Sequence, residues 1–459
     1  MTPARTLLIT TLAEYQTEFW LAAALTLRSS GNDVAFISFD DRSTERLRAA
    51  GFETWSVGDP PVTVHTDLAR ACAEHEIDNS NFWLSHERYT FAIRDSELLQ
   101  RKLLRYLALA GDALDALRGR GRAVTMVQEL GGFVSVVASY FAARRRGVDN
   151  WFIEPSFFRG RLFFLRNSFR AARIDPQPAA TVSPEVRAYL DATLNTQAIV
   201  IPQKDRHQYT TAARKIVNRR NVKRLVQKSI DKYLLGKHQE FGHITHHVRT
   251  HARMLLNNLR LRRRYTPLPQ AGRFVYYPLH VPADMALTLR SPEYLDQLAL
   301  IEWLLRSVPQ THAVAIKEHP AMIGAIDAHR VTQLMDRFDN LLMLPPSTNN
   351  FDVLRACDGV VSINSKAGAE ATLVGKPVLV LGDAFYRSSP AVRPIEHVRE
   401  LPTALAETVA SPQRVQPEQV AAWFQNVWDA SSPGELYVAD EANVEVFCAS
   451  LIERVGGAA

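Results

Sequence analysis

Short apolar runs alternate with longer amphipathic segments along the first 180 residues. We predict strands at RTLLIT, DVAFISF, ETWSV, AVTMVQE and NWFIEPSFF. Helical periodicity occurs between them, at 14–28, 43–50, 83–117 and 131–146. Strands that alternate with helices in this way predict a parallel sheet with helices on both faces. The first part of the chain therefore predicts an α/β domain.

The same alternation resumes at Phe274, after a helical and basic stretch that is poor in strand signals. We predict strands at FVYYPLH, HAVAIKEHP, LLMLPP, GVVSIN and PVLVLG, with helices at 291–306, 325–338, 350–356 and 366–374. This pattern predicts a second doubly wound domain. Two such domains in tandem bring the carboxyl ends of both sheets to a shared cleft, where open α/β sheets bind ligands.

The predicted boundaries follow these changes in pattern. They give a first Rossmann-like domain at 1–184, a basic helical insert at 185–268 and a second Rossmann-like domain at 269–400, with C-terminal helices that pack back on both domains at 401–459. A chain of 459 residues is long enough for two cores. The first strand is followed by TTLAEYQTEF, which lacks GxGxxG, and GxxxxGK[ST] is absent. Dinucleotide and P-loop chemistry are therefore not predicted.

Composition predicts a cytoplasmic protein without structural metal. No apolar run reaches the roughly 18 residues that cross a bilayer, and the N-terminus is predicted to be a strand and not a signal peptide. Cys72, Cys357 and Cys448 lie far apart and show neither CxxC nor CxxH spacing. This spacing disfavours a disulfide framework and a zinc site, and it favours a reducing compartment.

The net charge of +6 conceals a strongly basic segment. Residues 204–264 hold 17 Lys/Arg against 3 Asp/Glu, so the remainder of the chain carries −8. Three interpretations stay open: a solvated helical surface, docking on an anionic membrane, or nucleic-acid binding. The segment shows no zinc finger, RNP or helix-turn-helix pattern, so nucleic acid is not expected as a partner. Its apolar residues, at roughly helical spacing among cations, suit a peripheral position on the inner face of the cell membrane.

Polar residues follow four strands of the second predicted domain, at the point where each strand ends. They are His280 and Asp284, then Lys317, Glu318 and His319, then Ser362, Asn364 and Ser365, and finally Gly382, Asp383 and Tyr386. Each group alone is explained as a helix cap or a loop. If the strands are parallel neighbours, however, all four groups lie at one edge of the sheet, which predicts a binding site.

The stretch VVSINSKAGAE favours a phosphate ligand at this edge. Ser362, Asn364 and Ser365 supply hydroxyl and amide donors, and the helix that begins near Lys366 offers its N-terminal N–H groups. Gly368 would let the helix backbone approach the ligand closely. These three short polar residues are therefore interpreted as a nucleotide-phosphate site and not as a helix cap alone.

Four further residues complete the predicted nucleotide site. Lys317 and His319 suit a departing phosphate, because they can neutralise or protonate it. Glu370, one turn into the helix, can accept hydrogen bonds from a ribose. His280 ends the neighbouring strand and is included in the same site. No DxD-like motif follows a strand, so no metal is expected at the phosphate.

The motifs KEHP, S-x-N-S-x-x-G-x-E-A, GKPV and G-x-A-F-Y resemble those of the capsule polysaccharide biosynthesis family. The resemblance covers about 274–390, and it extends more weakly to 129–158. That family contains the Kdo (3-deoxy-octulosonate) transferases that use a CMP-activated sugar. The resemblance implies a GT-B fold, in which two Rossmann-like domains face a central cleft. It also implies that the C-terminal domain holds the donor and the N-terminal domain the acceptor.

Carried to this chain, the resemblance assigns three catalytic residues. His319 becomes a contact to CMP, Asp284 resembles the carboxylate beside the anomeric carbon, and Glu154 resembles the N-terminal-domain carboxylate that faces the cleft. The implied activity is transfer of Kdo or a related acidic sugar to a lipid-linked glycan or polysaccharide. Membership in the β-Kdo group would imply retention of configuration.

Other functions stay open on the sequence alone. The same fold serves UDP-sugar transferases and sugar-nucleotide epimerases, and a non-catalytic scaffold of a capsule-assembly complex is a further alternative. Glu14 and Gln16 follow the first strand. They suit a contact with the acceptor across the cleft, and they suit the start of a helix equally well.

Overall fold

The computed structural model describes residues 5–176, 181–197, 226–411 and 415–457. Part of the predicted basic insert, 198–225, lies outside the described residues. The strands are β1 (Arg5–Thr11), β2 (Asp33–Ser38), β3 (Glu53–Ser56), β4 (Ala123–Glu129), β5 (Asn150–Pro155), β6 (Arg161–Arg166), β7 (Phe274–Pro278), β8 (Ala313–Lys317), β9 (Leu341–Met343), β10 (Gly359–Ser362), β11 (Val378–Val380), β12 (Val392–Pro394) and β13 (Ser432–Pro433).

The helices flank the two sheets that these strands form. They are α1 (Glu14–Ser29), α2 (Asp41–Ala49), α3 (Leu68–Glu74), α4 (Ser80–Phe91), α5 (Ser96–Gly119), α6 (Val134–Arg145), α7 (Pro184–Thr196), α8 (Ile244–Leu261), α9 (Met285–Thr288), α10 (Gln297–Ser307), α11 (Ala328–Arg337), α12 (Asn350–Ala356), α13 (Lys366–Leu373), α14 (Leu401–Ala410), α15 (Pro417–Ala430) and α16 (Glu441–Gly456).

Both sheets have Rossmann topology. The first has the order β13-β6-β5-β4-β1-β2-β3 and the second the order β12-β11-β10-β7-β8-β9. Strands β1 to β5 pair in parallel, as do all six strands of the second sheet. The strand order reverses between β1 and β4 in the first sheet and between β7 and β10 in the second. We call these two positions the first and second switch points, because ligands of open α/β sheets bind outside them.

The two predicted doubly wound domains are therefore confirmed, with local differences. The predicted helical region at 83–117 contains two helices, because the chain turns at Ala92, which has a φ of 52°. The helix predicted at 291–306 begins only at Gln297, where Asp296 accepts hydrogen bonds from the first N–H groups. The sequence did not predict β12 and β13, which lie at sheet edges, or β6, which pairs with both β13 and β5.

The carboxyl edges of the two sheets face each other, as in the GT-B fold. Lys366 Nζ, at the start of α13, lies 3.5 Å from the Ser156 carbonyl oxygen, just after β5. Phe157 enters an apolar core of the C-terminal half, where its ring centroid lies 4.7 Å from that of Phe424. The C-terminal helix α16 returns to pack on α1. This apolar contact fixes the relative position of the domains more firmly than a polar interface would.

The described part of the insert contacts both domains. Asp231 accepts two hydrogen bonds of 2.7 Å from Arg42. Lys102 lies 3.0 Å from a carboxylate oxygen of the buried Glu240. Helix α8 packs against α11 of the second domain. The insert therefore spans the outside of the two-domain body.

Candidate functional site

The second switch point lies between the ends of β7 and β10. His280 lies two residues beyond the end of β7, and Asn364 lies two residues beyond the end of β10. Ser365 caps α13, and its hydroxyl accepts a hydrogen bond of 3.3 Å from the Ala367 N–H. The predicted phosphate residues are thus brought to the start of α13, where N–H groups and the helix dipole attract anions.

Two buried polar atoms at this switch point make no hydrogen bond with the described residues: His280 Nε2 and Asn364 Oδ1. The amide nitrogen of Asn364 donates to the Ala286 carbonyl at 2.7 Å and to Ser291 Oγ at 3.2 Å. The side-chain oxygen of Asn364 therefore faces away from Ala286 and Ser291. Gln297 holds the main chain of His280 through bonds of 2.8 and 3.2 Å. Buried polar atoms normally have partners. Two such atoms on either side of one crevice make the second switch point a candidate position for a ligand.

The imidazoles of His280 and His319 lie near each other. Burial, followed by repulsion from His319, lowers the pKa of His280 to about 3. His319 Nδ1 accepts a hydrogen bond of 3.3 Å from the Ala321 N–H. Because this nitrogen acts as an acceptor, the proton of the neutral ring sits on Nε2, which is then a hydrogen-bond donor. The arrangement suits contact between His319 and an anionic oxygen.

Lys317 and Glu370 lie beneath the switch point. Lys317 is 3 % exposed, and its ammonium donates to the Thr348 carbonyl at 3.2 Å. Burial lowers its pKa to about 8, although the negative charge of Glu370 acts in the opposite direction. Glu370 is 2 % exposed and accepts a bond of 2.6 Å from Asn350. Burial also raises the pKa of Glu370. Both predicted nucleotide contacts are therefore buried side chains in the described structure.

Ser362 and Gly368 pack against Tyr386. The Ser362 hydroxyl is fully buried, lies 2.9 Å from the Tyr386 hydroxyl and accepts the Ser365 N–H at 3.1 Å. A Cβ on Gly368 would lie 2.3 Å from the Tyr386 hydroxyl. Glycine is required here because the tyrosine occupies the space above the helix, whereas the sequence suggested a closely bound ligand.

The predicted catalytic carboxylates surround an arginine that the sequence analysis missed. Glu154 accepts two hydrogen bonds, of 2.9 and 3.0 Å, from Arg290. Asp284 is exposed and caps α9 by accepting the Ala286 N–H at 2.9 Å. Burial lowers the pKa of Arg290, but nearby negative charges, chiefly Glu154, outweigh it and raise the pKa overall. Arg290 therefore stays charged and joins the two domains at the cleft.

Gln16 and Glu14, the two predicted acceptor contacts, differ in exposure and in hydrogen bonding at the first switch point. Glu14 is exposed in the first turn of α1, whereas Gln16 is buried. Gln16 donates to Glu129, the last residue of β4, and to Tyr437 from the C-terminal segment. Neither partner was singled out as a candidate from the sequence, because Tyr437 is distant in the chain and Glu129 looks like an ordinary strand end.

The histidines of the insert pack against aromatic side chains. His243 stacks on Phe91 with ring centroids 4.2 Å apart. Burial lowers the pKa of His243 and of His247 to about 4. Within the described residues, no group of three or more His, Cys, Asp or Glu is arranged to hold a metal ion.

Glu318 provides a pH-dependent contribution to stability. Burial raises its pKa from 4.5 to about 7, so the folded state holds a proton that the unfolded chain has released. The contribution of this proton to the free energy of unfolding is fully present below pH 4.5. It is lost as the pH rises through about 7. Glu318→Gln keeps an oxygen to accept the Gly324 N–H. We expect it to raise the free energy of unfolding at pH 8 by about 2–3 kcal/mol.

Urea unfolding at pH 5 and pH 8 would measure this effect. Glu293→Gln, at an exposed position of the same domain, is the control. If Glu318→Gln and the control change equally between the two pH values, the buried proton makes no such contribution.

Two Rossmann-type domains whose carboxyl edges face each other define a protein with the GT-B fold. The sequence model described as "Capsule polysaccharide biosynthesis protein" matches residues 136–390, more than half of the chain. The chain therefore belongs to the capsule polysaccharide biosynthesis family, which confirms the resemblance noted in the sequence.

Known proteins show more distant similarity. Protein FixF of Sinorhizobium fredii is 31% identical over 153 residues, which is 33% of this chain and 37% of FixF. The chain thus matches well under half the length of that curated relative. A beta Kdo 2,7 transferase of Thermosulfurimonas dismutans KpsC is 14% identical, with 82% of this chain and 98% of that chain covered and a TM-score of 0.36. The UDP-GlcNAc 2-epimerase of Methanocaldococcus jannaschii is 9% identical, with 93% of this chain and 99% of that chain covered and a TM-score of 0.29.

Proposed function

We propose that this protein transfers Kdo, or a related acidic ulosonic sugar, from a CMP-activated donor to a surface polysaccharide or glycolipid acceptor, with retention of configuration. One observation supports the donor site above all. The unpartnered His280 Nε2 and Asn364 Oδ1 flank the second switch point, next to His319 and the start of α13. Membership in the capsule polysaccharide biosynthesis family supports the choice of donor.

The chemistry divides among a few residues. The positive end of the α13 dipole and the hydroxyl of Ser365 attract the phosphate of the donor. His319 donates a proton or a hydrogen bond as the phosphate departs. Loss of the phosphate leaves an oxocarbenium-like centre at the sugar, and the exposed carboxylate of Asp284 stabilises this positive charge. Buried Lys317 adds a positive charge beneath the same edge.

Nucleotide binding tests the donor before any acceptor is known. We expect CMP to raise the thermal unfolding temperature more than UDP at equal concentration, because a ligand that binds only the folded state stabilises it. Incubation with CMP-Kdo generated in situ and a panel of lipid-linked and synthetic glycans then tests transfer. Stronger binding of UDP would instead favour a UDP-sugar enzyme, and no binding of either nucleotide at millimolar concentration would favour a scaffold.

We propose that the basic segment 204–264 docks on an anionic membrane beside the lipid-linked acceptor, through a surface within its described residues 226–261. Half of the large apolar side chains that are exposed in the described structure lie in this segment: Val226, Ile230, Tyr233, Leu234, Leu235, Val248, Leu256 and Leu259. Lysine and arginine residues lie among them. Exposed apolar groups with flanking cations suit an interfacial position. None of the described helices combines the length and apolar character that crossing a bilayer requires.

Leu234→Ser/Leu235→Ser tests this surface, since the side chains are 77% and 57% exposed. Burying one leucine contributes about 1.5–3 kcal/mol, so the variant should lower the partition coefficient on anionic liposomes by about tenfold or more. Leu25→Ser, at a position on α1 that is 49% exposed, is the matched control. Unchanged liposome binding by the double variant would exclude this surface.

A further inference from the structure

The first switch point holds a hydrogen-bonded cluster from three distant parts of the chain. Gln16 follows β1, Glu129 ends β4, and Tyr437 lies between β13 and α16. β1 and β4 are the neighbouring strands between which the strand order reverses. The cluster therefore occupies the position in the first domain that the His280 and Asn364 site occupies in the second.

The hydrogen bonds fix the orientation of every member of this cluster. The Gln16 side-chain oxygen accepts the Leu12 N–H at 2.7 Å, so its amide nitrogen must face the other way. That nitrogen donates to Glu129 Oε2 at 3.1 Å and to the Tyr437 oxygen at 2.8 Å. The Tyr437 hydroxyl donates to the same Glu129 oxygen. Two neutral donors thus hold one carboxylate oxygen in place.

Tyr437 reaches this position at a conformational cost. Its φ of 64° lies in the left-handed region, which a bulky residue rarely adopts. Strain of this kind persists where the surroundings impose it, and it concentrates at functional sites. Burial, with the nearby charge of Glu129, raises the pKa of Tyr437 well above 10. The hydroxyl therefore stays a donor to the carboxylate throughout the pH range of an assay.

The loop that carries Tyr437 also borders the donor side of the cleft. Glu435 and Leu436 line a small cavity together with Ser156, at the end of β5, and Lys366, at the start of α13. Helix α13 begins beside the proposed phosphate site. The cluster at the first switch point is thus linked through this cavity to the helix that faces the donor.

Several carboxylates lie at or just beyond the carboxyl ends of strands in the first sheet, and their surroundings differ. Asp40, after β2, caps α2 by accepting a backbone N–H at 3.0 Å. Glu154 forms a two-bond ion pair with Arg290. Glu14 is exposed on the first turn of α1. Among the carboxylates in the described part of the chain, only the half-buried Glu129 combines a position directly at the first switch point with oriented neutral donors. Such donors stabilise the charged form of a carboxylate and fix its direction.

We propose that Glu129 binds the acceptor hydroxyl and accepts its proton during transfer. This inference rests on the proposed function. The acceptor oxygen forms a bond to the anomeric carbon of the activated sugar, and its proton passes to Glu129. The bond between the anomeric carbon and the CMP phosphate breaks, and its electron pair leaves with CMP. Gln16 and Tyr437 are positioning residues, because they act through Glu129.

The variant Glu129→Gln tests this role. It keeps oxygen and nitrogen atoms of the same size beside Gln16 and Tyr437, but it cannot accept the proton. We expect the transfer rate to fall by about 10²- to 10⁴-fold, while CMP still raises the unfolding temperature as it does in the unaltered protein. Glu18→Gln, at an exposed position on α1, should keep full activity.

A second variant distinguishes a positioning role from a purely structural one. Tyr437→Phe removes one donor from the carboxylate, which disfavours its charged form. The acidic limb of the pH profile of kcat/KM should then move upward by about one pH unit. A purely structural tyrosine would change stability and leave this limb unmoved.

The outcomes separate this inference from the proposed function. If the unaltered protein transfers sugar and Glu129→Gln matches it, the role of Glu129 is excluded and the proposed function stands. If the unaltered protein neither binds CMP nor transfers sugar, the proposed function fails, and the inference about Glu129 fails with it. Loss of transfer with retained CMP binding, together with the shifted limb in Tyr437→Phe, supports the inference.

Discussion

His319→Ala is expected to lower the rate of sugar transfer by about 10²- to 10⁴-fold, the range that a general acid contributes. The imidazole lies beside His280 at the second switch point, and its Nδ1 is occupied by the Ala321 N–H. Its other nitrogen is the one that can serve the departing phosphate. Transfer rates and the CMP-induced rise in unfolding temperature would both be measured, and CMP binding should weaken as well.

The fold should tolerate this substitution. His319 caps a single turn of 3-10 helix at Pro320–Met322, and loss of a cap costs about 1 kcal/mol. His329→Ala, at an exposed position on α11, is the control for general effects of removing an imidazole from this domain. Full activity in His319→Ala would remove the residue from the mechanism. An unfolded variant would show that the histidine is structural.

The positions of the residues at the second switch point were predictable because parallel strands obey a simple rule. His280 and Asn364 each follow an apolar run, and alternation of strands and helices places the ends of such runs at one edge. Only the strand order was missing. Once β7 and β10 are known to be neighbours at a reversal, the two residues must lie on either side of one crevice.

The partners of these residues were not predictable, because tertiary packing selects them. The motif around Gly368 reads as a close approach to a ligand, yet the glycine accommodates Tyr386, a residue of the following loop. Lys317 ends β8 and Glu370 lies in the first turns of α13, positions that suggest contact with solvent or a ligand, but both side chains are buried. Spacing along the chain gives the edge of the sheet at which a residue lies. It does not give the depth of its side chain.

Glu154 shows the same limit in the first domain. The sequence assigns it to the cleft, and its partner Arg290 lies 136 positions further along the chain. Nothing in the local pattern around Arg290 distinguishes it from other arginines of the chain. The pairing becomes visible only when the end of β5 is placed against the loop after β7. Whether Glu154 acts on the substrate is therefore a separate question from its contribution to the interface.

Replacing Arg290 is expected to have the largest effect on stability. Arg290→Leu leaves the Glu154 carboxylate, whose side chain is 19% exposed, without its cation, and breaking a buried pair costs about 3–5 kcal/mol. Glu154→Gln should cost less, because Arg290 also donates to the Phe169 carbonyl at 2.7 Å. Glu154→Leu combined with Arg290→Leu should be more stable than the sum of the single effects predicts, because neither charge is then left alone.

Urea unfolding of the single and double variants measures this coupling. The exposed pair of Arg330 and Asp296, 2.8 Å apart, is the matched control, and Arg330→Leu should cost less than about 1 kcal/mol. Additive effects of the Arg290 and Glu154 substitutions would contradict the interaction. Glu154→Gln also separates the two roles of the glutamate. If it stays folded and loses transfer, Glu154 contributes to catalysis, whereas retained transfer makes it a residue of the domain interface.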